Sequence, residues 1–325
     1  MINYSLIRKI RKGYSVKNIV KKLPVPITGL MLGLAALGNL IQSYSNPLRN
    51  ILGLASGIIL VLVLLKIIMF PKGVREALDS PAVASVFPTL SMSIMLLAVY
   101  LKPINTQFAY YFWVIGIILH LVLMISFTIK FVSNFNIKKV FPSWYIVYVG
   151  IVVASVTSGA FEMQSLGKVA FYFGFIAYLV LLPIVLKRTF IVKEIPEPAQ
   201  PGIAILCAPA SLCLAGYMNS FAEKNMLIVY FLLIVSQITY FAVLIYLPKL
   251  LNLKFYPSYS GFTFPLVISG LSLKLTNGFL VKSGNTISFL KYLVMFEELV
   301  AVIIVIYVLL KYVTFLFKKE AITKA

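Results

Sequence analysis

Ten apolar runs partition this chain, at roughly residues 25–42, 51–70, 84–101, 108–131, 142–160, 168–186, 203–221, 226–247, 260–276 and 292–317. A membrane-spanning helix needs about 20 mostly apolar residues. Runs of this length without a period of two exclude a strand barrel. The intervals between them are too short for a soluble domain. Composition agrees: 61% of the residues are hydrophobic and 12% are charged, against about 25% charged in soluble domains. The fold expected is therefore an all-α integral membrane protein with ten transmembrane helices. On this reading residues 1–22 are a basic cytoplasmic segment, 23–317 the membrane domain and 318–325 a cytoplasmic tail.

The charges predict the orientation. Twenty-nine Lys and Arg stand against nine Asp and Glu, a formal net charge of +20. In a soluble protein this would suggest nucleic acid. Here the basic residues sit at the ends of apolar runs, so membrane topology accounts for them and no nucleic-acid partner is expected. If all ten runs cross, the N-terminal side carries 21 Lys and Arg. The opposite side carries seven: Arg49, Lys102, Lys168, Lys224, Lys274, Lys282 and Lys291. The positive-inside rule then places both termini in the cytoplasm of an inner or plasma membrane. Lys66, alone inside a run, is expected to snorkel to the cytoplasmic face. The segment from Met1 to Lys22 lacks an apolar core, so no cleaved signal peptide is expected.

A repeat underlies the runs. Pro26, Pro88, Pro142, Pro201 and Pro257 open the odd-numbered runs at separations of 62, 54, 59 and 56 residues. The odd runs are rich in small residues, such as Gly29, Gly33, Ala35, Ala36 and Gly38, while the even runs are bulky, as in Tyr110-Tyr111-Phe112-Trp113. A fixed period implies a repeated unit, here a helical hairpin with one small and one bulky helix. Small residues permit close packing or a lumen. The simplest assembly is five hairpins around a central pore, odd helices inside and even helices outside. Pro26, Gly29, Gly33, Pro88, Pro142, Pro209, Gly261 and Pro265 are the candidate pore-lining or kink positions. A second reading stays open, in which the prolines only start or kink packed helices.

No catalytic constellation, metal-ligand cluster or Gly-rich phosphate loop occurs, so neither enzymatic activity nor a metal or cofactor is expected. His120, mid-run on a bulky helix, reads as a hydrogen-bonded packing residue, with a proton relay in a coupled carrier as the alternative. Cys207 and Cys213 fall on different turns of one run and are too far apart to bridge. Glu297 and Glu298 lie inside the tenth run. They are either coupling carboxylates that carry protons or residues that pair with Lys291 or Lys274. The odd runs lack acidic residues through their spans, whereas a cation pore carries Asp or Glu rings. A lumen of small apolar groups, hydroxyls and backbone dipoles beneath a basic protein favours anions weakly.

Two stretches resemble the tellurite-resistance/dicarboxylate transporter family, which includes TehA and the plant slow-type anion channels. The first is Leu23-Pro24-Val25-Pro26-Ile27-Thr28-Gly29 with the following Leu32-Gly33-Leu34. The second is Phe255-Tyr256-Pro257-Ser258-Tyr259-Ser260-Gly261-Phe262-Thr263-Phe264-Pro265. Ser260 departs from the family's usual tryptophan, and Glu297 and Glu298 are not part of its pattern. The resemblance implies a passive route for small anions such as chloride, nitrate or oxyanions. It also implies a homotrimer with one pore per protomer, and a ninth-helix phenylalanine that plugs each pore. Phe264 is the match and Phe262 the alternative. Residues two apart on a helix face nearly opposite ways, so only one of them faces the axis. A proton-coupled carrier of dicarboxylate, sulfite or tellurite, and a non-transporting membrane scaffold, are the rival readings.

Overall fold

The computed structural model describes residues 16–318. The rest of the basic N-terminal segment and of the C-terminal tail lies outside the described residues. Every regular element among the described residues is helical, and eight helices are long and apolar enough to cross a membrane.

Five of these occupy the even runs: Asn46–Met69, Thr106–Val132, Gln164–Val192, Met226–Leu251 and Leu290–Phe317. Three of them are capped at their start by a polar side chain. The Ser45 hydroxyl accepts the Leu48 N–H, and the Asn105 and Asn225 amides accept those of Phe108 and Leu227. Such a cap contributes about 1 kcal/mol.

The odd runs are shorter or interrupted. The first is Ile27–Ile41, separated from the short helix Val16–Lys22 by a 100° bend. The third follows Pro88 as Thr89–Leu101. The seventh and ninth enter through tight 3₁₀ turns, Glu197–Cys207 and Pro257–Phe262, before Ala208–Ser220 and Thr263–Lys282. The fifth is broken into Trp144–Tyr148, Gly150–Val152, Val153–Ser158 and Gly159–Phe161. The ten runs therefore do not become ten equal helices. Proline lacks the N–H and crowds the carbonyl one turn back. In the fifth run, β-branched Val147, Val149, Ile151, Val152 and Val153 add stiffness that disfavours the helix. Gly150 weakens it further, yet a Cβ there would come within 2.8 Å of the Met92 sulfur and 2.9 Å of the His120 ring.

Serine and threonine hydroxyls bond back to carbonyls three or four residues earlier in these segments. Ser85 donates to the Pro81 carbonyl at 2.7 Å, Ser91 to Pro88 at 2.7 Å, Ser211 to Cys207 at 2.9 Å and Thr263 to Ser260 at 2.7 Å. Within a bilayer such groups have no water to turn to.

The odd segments pack on one another in chain order, and the ninth closes back on the first. Each of the five seams carries a hydroxyl hydrogen bond. Thr89 donates to Thr28 at 2.7 Å, Ser85 pairs with Ser143 at 2.6 Å and Ser158 with Ser220 at 3.2 Å. Ser211 pairs with Ser269 at 2.9 Å, and Thr263 donates to the Gly29 carbonyl at 3.0 Å. The even helices lie against the outside of this ring. In their most apolar windows they bury 28% to 39% of their residues, against 61% to 89% for the third, seventh and ninth runs. Val16–Lys22 packs on the tenth helix, and the Lys22 ammonium donates to the Lys318 carbonyl at 2.9 Å. Both described ends thus lie on one face, called proximal below.

Candidate functional site

Two cavities lie within the ring, end to end. The proximal cavity, about 540 Å³, is bordered by the proline-bearing entrances of the odd runs. Of the positions singled out in the sequence, Pro26, Gly29, Pro142, Pro209, Gly261, Phe264 and Pro265 border it. Gly33 and Pro88 do not. Gly33 receives the ninth helix: a Cβ on it would fall 3.2 Å from the Phe264 nitrogen and closer still to the Thr263 side chain. Pro88 starts the third helix, with its carbonyl bonded by Ser91. Lys66 is the one charged side chain bordering this cavity among the described residues, and its ammonium donates to the Lys21 carbonyl at 3.0 Å.

The distal cavity, about 260 Å³, is bordered by Ala36, Asn39, Gln42, Thr157, Ala160, Asn219 and apolar residues of the third, seventh and ninth helices. Among the described residues only Leu212 and Phe264 border both cavities. They stand between them, Leu212 from the seventh helix and Phe264 from the first turn of the ninth. Phe262 borders neither. It is fully buried, with its ring 4.9 Å from that of Tyr259. The turn at Pro257–Phe262 gives way to α-helix at Thr263, which directs the two phenylalanines apart.

The model of the family described as SLAC1, voltage-dependent anion channel, matches residues 22–313. The chain belongs to that family. An uncharacterized transporter of Methanocaldococcus jannaschii is 27% identical over 177 residues, which is 50% of this chain and 52% of that protein. The chain thus spans about half the length of this relative. The resemblance read in residues 23–34 and 255–265 holds over nearly the whole chain, and the family is one of membrane anion channels and transporters.

The remaining sequence candidates lie away from the cavities of this family member. The His120 ring is fully buried, with Nδ1 2.9 Å from the Ser91 hydroxyl and Nε2 3.1 Å from the Val147 carbonyl oxygen. Both ring nitrogens are thus used in packing. Cys207 and Cys213 are free and buried. The Glu298 carboxylate receives the Lys274 ammonium at 2.6 Å and the Tyr44 hydroxyl at 2.6 Å, near the distal face. Glu297 is fully buried one helical step from Glu298, against Gly270 and beside the Gln237 amide, and neither carboxylate oxygen makes a well-formed hydrogen bond.

A buried polar group left unmatched costs about 1–3 kcal/mol. Glu297→Met is accordingly expected to raise the melting temperature of the purified protein. Anion flux and its pH dependence should be unchanged, because Glu297 borders neither cavity. A lower melting temperature, or a lost pH dependence, would show that the carboxyl is engaged after all.

The sequence reading missed Leu212. Its signal was modest: a large side chain centred in a small-residue run, Ala208 to Gly216. It also expected hydroxyls to face the lumen, whereas many of them join neighbouring odd segments.

Proposed function

We propose that the chain is a passive anion channel whose route runs through the two cavities and is shut by the Phe264 ring. The observation that carries this reading is the position of Phe264 and Leu212 between two cavities enclosed by one ring of segments. A constriction lined by apolar side chains excludes water, and a dry constriction blocks ions without any charge. The proline turns open the proximal cavity, and the route offers no carboxylate to hold a cation among its described lining residues.

All ten runs cross on this reading, as five hairpins. The two interrupted segments support it. Pro26 and Gly29 border the proximal cavity while Asn39 and Gln42 border the distal one, and Pro142 and Ala160 do the same for the fifth run. Both termini are then cytoplasmic in a cell membrane. A membrane-impermeant thiol reagent should label a cysteine placed at exposed Ser283 in intact cells and spare one placed at exposed Ser133. The reverse pattern would overturn the orientation. The family resemblance adds a homotrimer with a separate route in each protomer.

Purified protein in liposomes tests the function. Chloride and nitrate should pass down their gradients without a pH gradient. Nitrate should lead, since an apolar, weak-field lumen replaces little of a hydration shell and favours the more easily dehydrated ion. Comparable potassium flux would refute anion selectivity. Uptake of sulfite or malate that required a proton gradient would favour a coupled carrier. Absence of all flux would favour a scaffold. Against the carrier stand the positions of His120 and Glu297, both buried away from the route, and the engagement of Glu298 by Lys274.

A further inference from the structure

We propose that the distal cavity holds an anion subsite, formed by the Asn39 amide, backed by the Arg49 guanidinium behind it, and suited to a small monovalent anion. The inference rests on the anion-channel reading and names where an ion entering from the distal face is first held.

The argument begins with an unambiguous amide. The Arg49 Nε–H donates to Asn39 Oδ1 at 3.2 Å. Arginine carries donors alone, so it is the carbonyl of Asn39 that faces Arg49, and the NH₂ group is turned away from it. Among the described residues no other side-chain hydrogen bond engages Asn39. It borders the distal cavity, and its amide hydrogens are therefore presented to whatever occupies that space.

Of the other polar side chains bordering this cavity, Gln42 is exposed, while Thr157 and Asn219 are already engaged. The Thr157 hydroxyl donates to the Val153 carbonyl at 2.7 Å and accepts the Trp113 indole N–H at 2.7 Å. The Asn219 NH₂ donates to the Ala215 carbonyl at 2.8 Å. Asn39 is thus an amide donor of fixed polarity among largely apolar neighbours.

Arg49 supplies the charge. It is 8% exposed, with its guanidinium carbon 4.0 Å from the centroid of the Tyr100 ring. The Tyr100 hydroxyl donates to the Ala35 carbonyl at 2.7 Å, which holds the ring in place. No carboxylate forms an ion pair with Arg49 among the described residues. Arg49 itself does not border the cavity; its positive charge lies directly behind the Asn39 amide that does, and a charge so placed in a low-dielectric surrounding raises the local concentration of anions. It also polarises the intervening Asn39 amide in the direction that strengthens donation. One charge and one amide donor in a space of about 260 Å³ match chloride or nitrate better than a dianion.

Asn39→Asp is the deciding variant. The introduced carboxylate can take up Arg49 as an ion pair, so folding is retained, but it cancels the charge and replaces the donor with an acceptor. In liposomes the half-saturating chloride concentration at the distal face should rise at least about tenfold. Arg49→Lys, which keeps the charge and loses the planar fork, should give a smaller rise. Independently of flux, chloride should raise the melting temperature of the wild-type protein in a gluconate background, and this shift should vanish in Asn39→Asp. An equal chloride shift in both proteins, or no shift in either, overturns the subsite. If wild-type liposomes carry no anion flux, the channel reading fails, while the melting comparison still judges the subsite.

Discussion

Phe264→Ala raises anion flux through reconstituted protein by about tenfold or more, equivalent to lowering the barrier by about 1.4 kcal/mol. The expectation follows from position. Phe264 and Leu212 stand between the two cavities, and Pro265 directly after Phe264 removes a backbone donor at the start of the ninth helix. Removing the ring joins the cavities and lets water through. The same change should cost less stability than the roughly 3–5 kcal/mol typical of Phe→Ala in a packed core, because two sides of the ring face open space. Phe262→Ala is the contrasting case. Its ring is fully buried against Tyr259, so the variant should lose stability in that full range and leave flux unchanged in the fraction that folds. Conductance and thermal melting of both variants decide the matter. Phe264→Ala that is silent in flux and strongly destabilising would mark the ring as core packing.

The second large effect concerns the seam that sets the height of Phe264. Gly33→Val should destabilise the protein by about 3 kcal/mol, the upper end of the usual cost of overpacking. A Cβ at Gly33 would meet the Thr263 side chain and lie 3.2 Å from the Phe264 nitrogen. Those atoms belong to the first turn of the ninth helix, where Thr263 also donates to the Gly29 carbonyl at 3.0 Å. The obstacle is the Thr263 Cβ, fixed to the backbone, with the Phe264 nitrogen behind it, rather than the end of a flexible side chain, so relief requires the ninth helix to move. A lowered melting temperature is expected, together with leak in the surviving protein as Phe264 is displaced. Gly57→Val provides the control, since nothing lies within 4 Å of a Cβ there. Equal melting temperatures for the two variants would refute a close contact at Gly33.

Much of this was legible in the chain itself. Membrane residence, helical class and family followed from ten apolar runs and two proline-rich motifs, because a bilayer admits few backbone solutions. The recurrence of proline with small residues separated a buried set of segments from a lipid-facing set, since each property acts locally and repeats with the hairpin. The seams were not legible. Which of many serines and threonines bonds back to its own segment, and which reaches a neighbouring one, depends on rotation about each helix axis. That rotation is set by packing across contacts such as Gly29 with Thr263, more than 230 residues apart in sequence. For the same reason the interruption of the fifth run, the placing of Leu212 with Phe264 between the cavities, and the burial of Glu297 beside an ion-paired Glu298 were decided only by the tertiary structure. Two adjacent glutamates look alike in sequence. One helical step of about 100° carries Glu298 to Lys274 and Tyr44 and leaves Glu297 buried against Gly270 with only the Gln237 amide beside it.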